Sequence, residues 1–182
     1  MKYFRLLDNI NYPQRWYLGD ILPDENNWKF TYGSKVDELL LSKHMTVDVY
    51  ENGNPMDYTT TEGYVVPVIS KSLKRALEFA NDIQFLPVII EEIQYYIMVV
   101  VSLIDCVNES ESEFDLYTKD DLVRPDKAGE YKSFYKIKID EKKTNGKDIF
   151  RLKGYDIAII ISEKIKNIIE SINPLTSKFI EV

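Results

Sequence analysis

Apolar and polar positions along this chain follow two different periods, and each change of period marks an element. Residues 95–103 are apolar and rich in β-branched side chains, interrupted only by Ser102. A run without a polar face predicts a central strand, and residues 85–90 supply its partner. Residues 64–69 read as an earlier strand, in which Pro67, lacking an amide hydrogen, suits an edge or bulge position. After it the spacing lengthens. Leu73, Ala76, Leu77 and Ala80 recur at i, i+3, i+4 and i+7, which predicts a helix over 70–81 with Ser70 as its N-cap. The same change comes near the end. Ile165, Ile168, Ile169 and Ile172 predict a helix over 162–172, opening on Ser162 and flanked by strands at 157–161 and 178–182.

These two stretches echo one another. Ser70-Lys71-Ser72-Leu73 through Glu78 aligns with Ser162-Glu163-Lys164-Ile165 through Glu170, and each is followed by a strand opening on a phenylalanine, Phe85 or Phe179. A duplicated strand–helix–strand unit explains this, as does the general likeness of capped amphipathic helices. Elsewhere, strands are expected at 3–7, 15–18 and 46–50, and a short helix at 34–42 capped by Ser34. Residues 131–139 read as a one-sided strand, and the turn Thr144-Asn145-Gly146-Lys147 leads to a return strand at 149–152. Trp16 and Trp28 read as packing residues, although a partly exposed Trp can anchor an interface. The fold class is α+β: a mostly antiparallel or mixed sheet carrying two similar helices. No Gly/Ser/Pro linker interrupts residues 64–182, which are expected to form one domain, with residues 1–63 as a less regular segment docking on it.

Composition narrows the function classes. The chain has 182 residues, a net charge of −7, one cysteine (Cys106) and one histidine (His44). An acidic chain without a Lys/Arg cluster is a poor nucleic-acid binder. One Cys and one His form neither a disulfide nor a structural zinc site. No glycine-rich phosphate loop is present. The start lacks a signal-peptide core, and the longest apolar stretch, 95–104, is shorter than the roughly 20 residues a membrane helix needs. The cytoplasm is the default location, with no cofactor, metal or membrane expected.

Several segments occur in an order that identifies a family. They are Pro67-Val68-Ile69-Ser70-Lys71-Ser72-Leu73, Phe85-Leu86-Pro87-Val88, Tyr95-Tyr96-Ile97-Met98-Val99-Val100, Asp105-Cys106-Val107-Asn108 and Ile149-Phe150-Arg151-Leu152-Lys153-Gly154-Tyr155. The ending, from Ile160-Ile161-Ser162-Glu163-Lys164-Ile165 to Lys178-Phe179-Ile180-Glu181-Val182, continues it. Over roughly residues 64–182 the chain resembles the immunity proteins of bacterial polymorphic toxin systems, first catalogued as a domain of unknown function and typified by a myxobacterial member. The resemblance implies a non-catalytic protein that neutralises a cognate toxin by binding it. It supplies no interface residues.

The chain itself offers one candidate surface. Residues 105–121 carry seven acids against one lysine, a net −6 close to that of the whole chain. Asp105, Glu109, Glu111, Glu113, Asp115, Asp120 and Asp121 are interleaved with Phe114, Leu116 and Tyr117. Such a loop fits the basic cleft of a nuclease toxin, its carboxylates imitating phosphates while an aromatic side chain, Phe114 or Tyr117, inserts as an anchor. An ordinary solvated connection has the same composition. Two other classes stand beside the toxin binder: an oligomerisation module pairing through an edge strand at 178–182, and a small enzyme using His44 with dispersed acids or Cys106.

Overall fold

A computed structural model of the chain describes residues 1–23, 26–37, 44–61 and 65–182. Its elements run β1 (Tyr3–Asp8), β2 (Tyr17–Leu22), β3 (Thr46–Glu51), β4 (Tyr58–Thr60), β5 (Pro67–Ile69), α1 (Lys71–Leu77), β6 (Ile83–Ile90) and β7 (Ile93–Val100). They continue with β8 (Leu103–Ile104), β9 (Glu113–Leu116), β10 (Tyr131–Lys136), β11 (Ile149–Leu152), β12 (Tyr155–Ser162), α2 (Glu163–Ile172) and β13 (Ser177–Glu181). The fold is α+β, as expected, with the two similar helices in place. Among the described residues three sheets form: a six-stranded one ordered β2-β3-β6-β7-β5-β4, a five-stranded one ordered β13-β1-β12-β11-β8, and a two-stranded ribbon of β9 and β10. Most pairs are antiparallel; β3 with β6 and β8 with β11 are parallel.

The apolar runs are explained by burial on both faces. In β7, Tyr95, Ile97 and Val99 enter one core cluster while Met98 and Val100 enter another. In β12, Ile159 and Ile161 face the helices, and Ala158 and Ile160 face a third cluster. The second cluster joins the two large sheets. It gathers Leu73 and Leu77 of α1, Ile165 and Ile169 of α2, and residues from both sheets.

The echo in the sequence is a likeness in space. The strand order β4-β5-β7-β6 matches β11-β12-β1-β13: in each, a strand, a helix and a strand flank one antiparallel strand. Ser70 and Ser162 cap their helices identically, accepting from the amides of Leu73 and Ile165 at 3.2 and 3.4 Å. Each hydroxyl donates to an aspartate just ahead of the neighbouring strand, Asp57 at 2.6 Å and Asp148 at 2.7 Å. The inserted strand comes from different places, β7 following β6 in one unit and β1 standing at the chain start in the other.

Several expectations are corrected. Residues 34–37 are not helical, and the rest of the helix expected at 34–42 lies outside the described residues, as does Tyr64. Pro67 opens β5 inside the sheet, opposite Thr60 of β4; the first position of a strand also tolerates a missing donor. α1 stops at Leu77, after which the amides of Glu78 and Ala80 donate three residues back, to Arg75 O and Leu77 O at 3.5 and 3.0 Å, and no longer continue the helical ladder. β11 is not the return strand of β10. It pairs with β12 and β8, and β10 pairs with β9.

Candidate interaction surface

The acidic segment begins in the core. Cys106 is fully buried beside Val107 and Ile137, and the Asp140 amide donates to Cys106 O at 2.7 Å. Burial, reinforced by Asp105, pushes the thiol up to about 12, which leaves it a weak nucleophile at neutral pH. His44 is exposed, just ahead of β3. Among the described residues no group of three or more His, Cys, Asp or Glu is placed to hold a metal ion, and no helix is long and apolar enough to cross a membrane.

After a turn at residues 108–112 the chain enters β9, so the segment is one arm of a ribbon and not a free loop. Phe114 is no exposed anchor. Its ring lies 5.0 Å from Tyr131 and 5.5 Å from Phe134, and Phe134 meets Tyr155 edge-on at 5.0 Å, which fastens the ribbon to β12. Tyr117 is half-buried, with the Lys132 ammonium 5.5 Å from its ring centre.

The seven acids divide into two groups. Glu109 accepts from the Tyr131 hydroxyl at 2.5 Å, and Asp115 accepts from Ser133 at 3.3 Å and Tyr135 at 2.5 Å. Burial and the bond to Glu109 raise the Tyr131 pKa. Asp105 lies 3.8 Å from Lys153. Asp121 accepts from Lys132 at 2.6 Å and from the amides of Val123 and Arg124 at 3.0 and 2.9 Å. The Lys132 bond, then the two amides, hold its carboxyl down at about 2. Among the described residues no hydrogen bond or ion pair reaches the carboxylates of Glu111, Glu113 and Asp120. Those three are the acids free to meet a partner.

Beside the ribbon lies a cleft of about 580 Å³ that the sequence did not announce. One wall is the 3₁₀ turn Asn27–Thr31 and its sequel, which present Trp28 and Tyr32 at 55% and 52% exposure. The opposite wall is the ribbon and its connecting loop, through Tyr117, Arg124, Lys127 and Lys132, and the floor is the β11–β12 turn. Two features set the first wall. Gly33, at φ +69°, lets the backbone approach Leu103 so closely that an added Cβ would lie 2.8 Å from the leucine Cβ. Arg151, wholly buried, donates to Asp156 O at 2.6 Å and reaches Phe30 O at 3.5 Å, tying the turn to the floor; burial lowers its pKa to about 10. Of the two tryptophans, Trp16 is a packing residue, 5.3 Å from Tyr95, and Trp28 is not. Sequence offered one cue, a Trp followed by Tyr32 in a segment of weak periodicity.

The cleft rim is rich in ion pairs: Arg124 with Asp126, Lys127 with Glu130 and Lys132 with Asp121. Trp, Tyr and Arg, all three present in this cleft, are residue types enriched at protein interfaces. The comparison with curated proteins yields no match. The model of the Imm11 immunity protein family matches residues 14–182, well beyond the portion whose motifs are legible by eye, and the chain therefore belongs to the Imm11 immunity protein family.

Proposed function

We propose that this protein neutralises a cognate bacterial toxin, as part of a polymorphic toxin system, by stoichiometric binding in the cytoplasm and without turnover. Membership of an immunity family carries the reading. The ribbon supports it, because Glu111, Glu113 and Asp120 are without a hydrogen-bond or ion-pair partner among the described residues and can steer and meet a basic surface. A nuclease, whose cleft is built to hold phosphates, is the toxin class such carboxylates fit. A stable complex would bury about 1,600 Å² in total. The enzyme reading draws no support from Cys106, whose thiol is buried and raised.

Co-expression with the product of the adjoining toxin gene tests the proposal. Growth rescue with a co-purifying complex is expected, and the absence of both would overturn it. A second reading has one observation in its favour: among the described residues β13 pairs only with β1, which leaves an edge where two copies could join. A mass by light scattering that rises with concentration would favour that reading.

A further inference from the structure

We propose that toxin docking is anchored in the Trp28–Tyr32 cleft and on the adjoining Leu122–Val123 tip. The occupant is a toxin loop bearing an aliphatic or aromatic side chain flanked by Lys or Arg. This rests on the toxin-binding reading above and adds to it the place and chemistry of the anchor.

The first observation is the tip. Leu122 is 100% exposed and Val123 81%, adjacent in the loop that also gives the cleft Arg124 and Lys127. Scattered exposed leucines are ordinary, but this pair is held out by a built framework. Asp121 receives the amides of Val123 and Arg124 and the Lys132 ammonium, and Arg124 forks onto Asp126 at 2.8–3.3 Å. At the base, the Tyr117 amide donates to Glu130 O and the Gly129 amide to Tyr117 O, both at 2.9 Å. An apolar tip already ordered in the free protein loses little entropy on binding.

The second observation is the cleft. Trp and Tyr are the residue types that dominate binding hot spots, and here two of them stand half-exposed over a recess of about 580 Å³, room for one or two side chains.

Charge decides between occupants. The four cations lining the cleft are each beside an acid of the same chain: Arg124 with Asp126, Lys127 with Glu130, Lys132 with Asp121, and Lys153 with Asp105. Among the described residues each of these cations already has an acid beside it, and Glu130 and Asp156 line the recess with them, which disfavours a phosphate or a nucleic acid. Among the described residues the unpaired carboxylates of the same ribbon and its loops are Asp120, in the loop that carries the tip, Glu113 on β9 and Glu111 in the turn before it, so the spare charge of this face is negative. An apolar side chain flanked by cations meets both conditions.

The test uses the full-length protein and the purified product of the adjoining toxin gene, with Kd measured by calorimetry. Variants Trp28→Ala, Tyr32→Ala and the pair Leu122→Ser/Val123→Ser replace exposed side chains, so circular dichroism and Tm should match the wild type. Tyr50→Ser, at an 80% exposed site on β3, is the control. Trp28→Ala and the tip pair are expected to weaken binding at least about tenfold, with the control unchanged. Wild-type binding that every cleft and tip variant retains within about twofold would overturn the anchor and leave toxin binding standing. Binding of a single-stranded oligonucleotide to the toxin-free protein, lost in Trp28→Ala, would also overturn it. Absence of any wild-type complex would overturn the toxin-binding reading itself.

Discussion

Ser70 and Ser162 show how much one residue settles. Each hydroxyl accepts from the amide three residues on and donates to an aspartate from a neighbouring strand, so a single atom caps a helix and fixes it to a sheet. Ser162 is fully buried, and removing its hydroxyl also strips a partner from Asp148. Ser162→Ala is expected to cost about 1–2 kcal/mol in urea unfolding, at the upper end for an N-cap. Asp121 offers a test by pH. Its pKa is held at about 2 against an ordinary 3.8, chiefly by Lys132. A carboxyl depressed on folding stabilises its loop above the unfolded value and loses that effect as pH falls through the folded one. Loop order should therefore persist at pH 4 and decay toward pH 2, as followed by NMR of the Val123 and Arg124 amides. Lys132→Met should move the midpoint up toward the ordinary value.

At the scale of elements, the two helices meet across the cluster that joins the sheets. Leu77 and Ile165 are wholly buried there, and truncating either to Ala should cost about 2–5 kcal/mol, measured by denaturant midpoint. The helices were legible because their apolar spacing and serine caps are local properties. The strand pairings were legible only where neighbours in sequence pair, as in β6 with β7. The turn at 144–147 pointed to a hairpin of β10 with β11, yet all four residues of β11 are buried, Ile149 to Leu152. A strand covered on both faces needs apolar neighbours, which β12 supplies, whereas β10 keeps a polar face and suits an exposed ribbon. The ribbon is also why the acidic segment reads differently in space. Of its interleaved aromatics, Phe114 is consumed in packing, and four acids are tied to Tyr, Ser or Lys partners.

For the whole molecule, the sheets are joined by more than the shared core. Arg15 donates to Asp8 at the end of β1 at 2.7 Å, both nearly buried, and Thr59 and Thr60 of β4 close around the pair at 3.4 Å. Such a bolt and a common core predict one cooperative unfolding transition, with far-UV circular dichroism and tryptophan fluorescence coincident. Two separated transitions would show that the sheets unfold independently. The net charge of −7 makes a further expectation testable at this scale: raising salt should slow association with a basic toxin more than it speeds dissociation, as seen by stopped-flow mixing.

By itself, the order of apolar and polar residues determined the α+β class, both helices with their serine caps, and the strands of the central apolar runs. It also held the ordered motifs that resemble an immunity family. These are properties of neighbours along the chain or of patterns a few residues long. Only the tertiary structure decided that β1 completes a unit with β12 and β13, that three of the seven acids have no partner among the described residues, and that Trp28, Tyr32 and the ribbon enclose a cleft. These depend on segments far apart in the chain, as Phe4 of β1 is from its partner Glu181 of β13, where the partner of a side chain is set by packing and not by spacing.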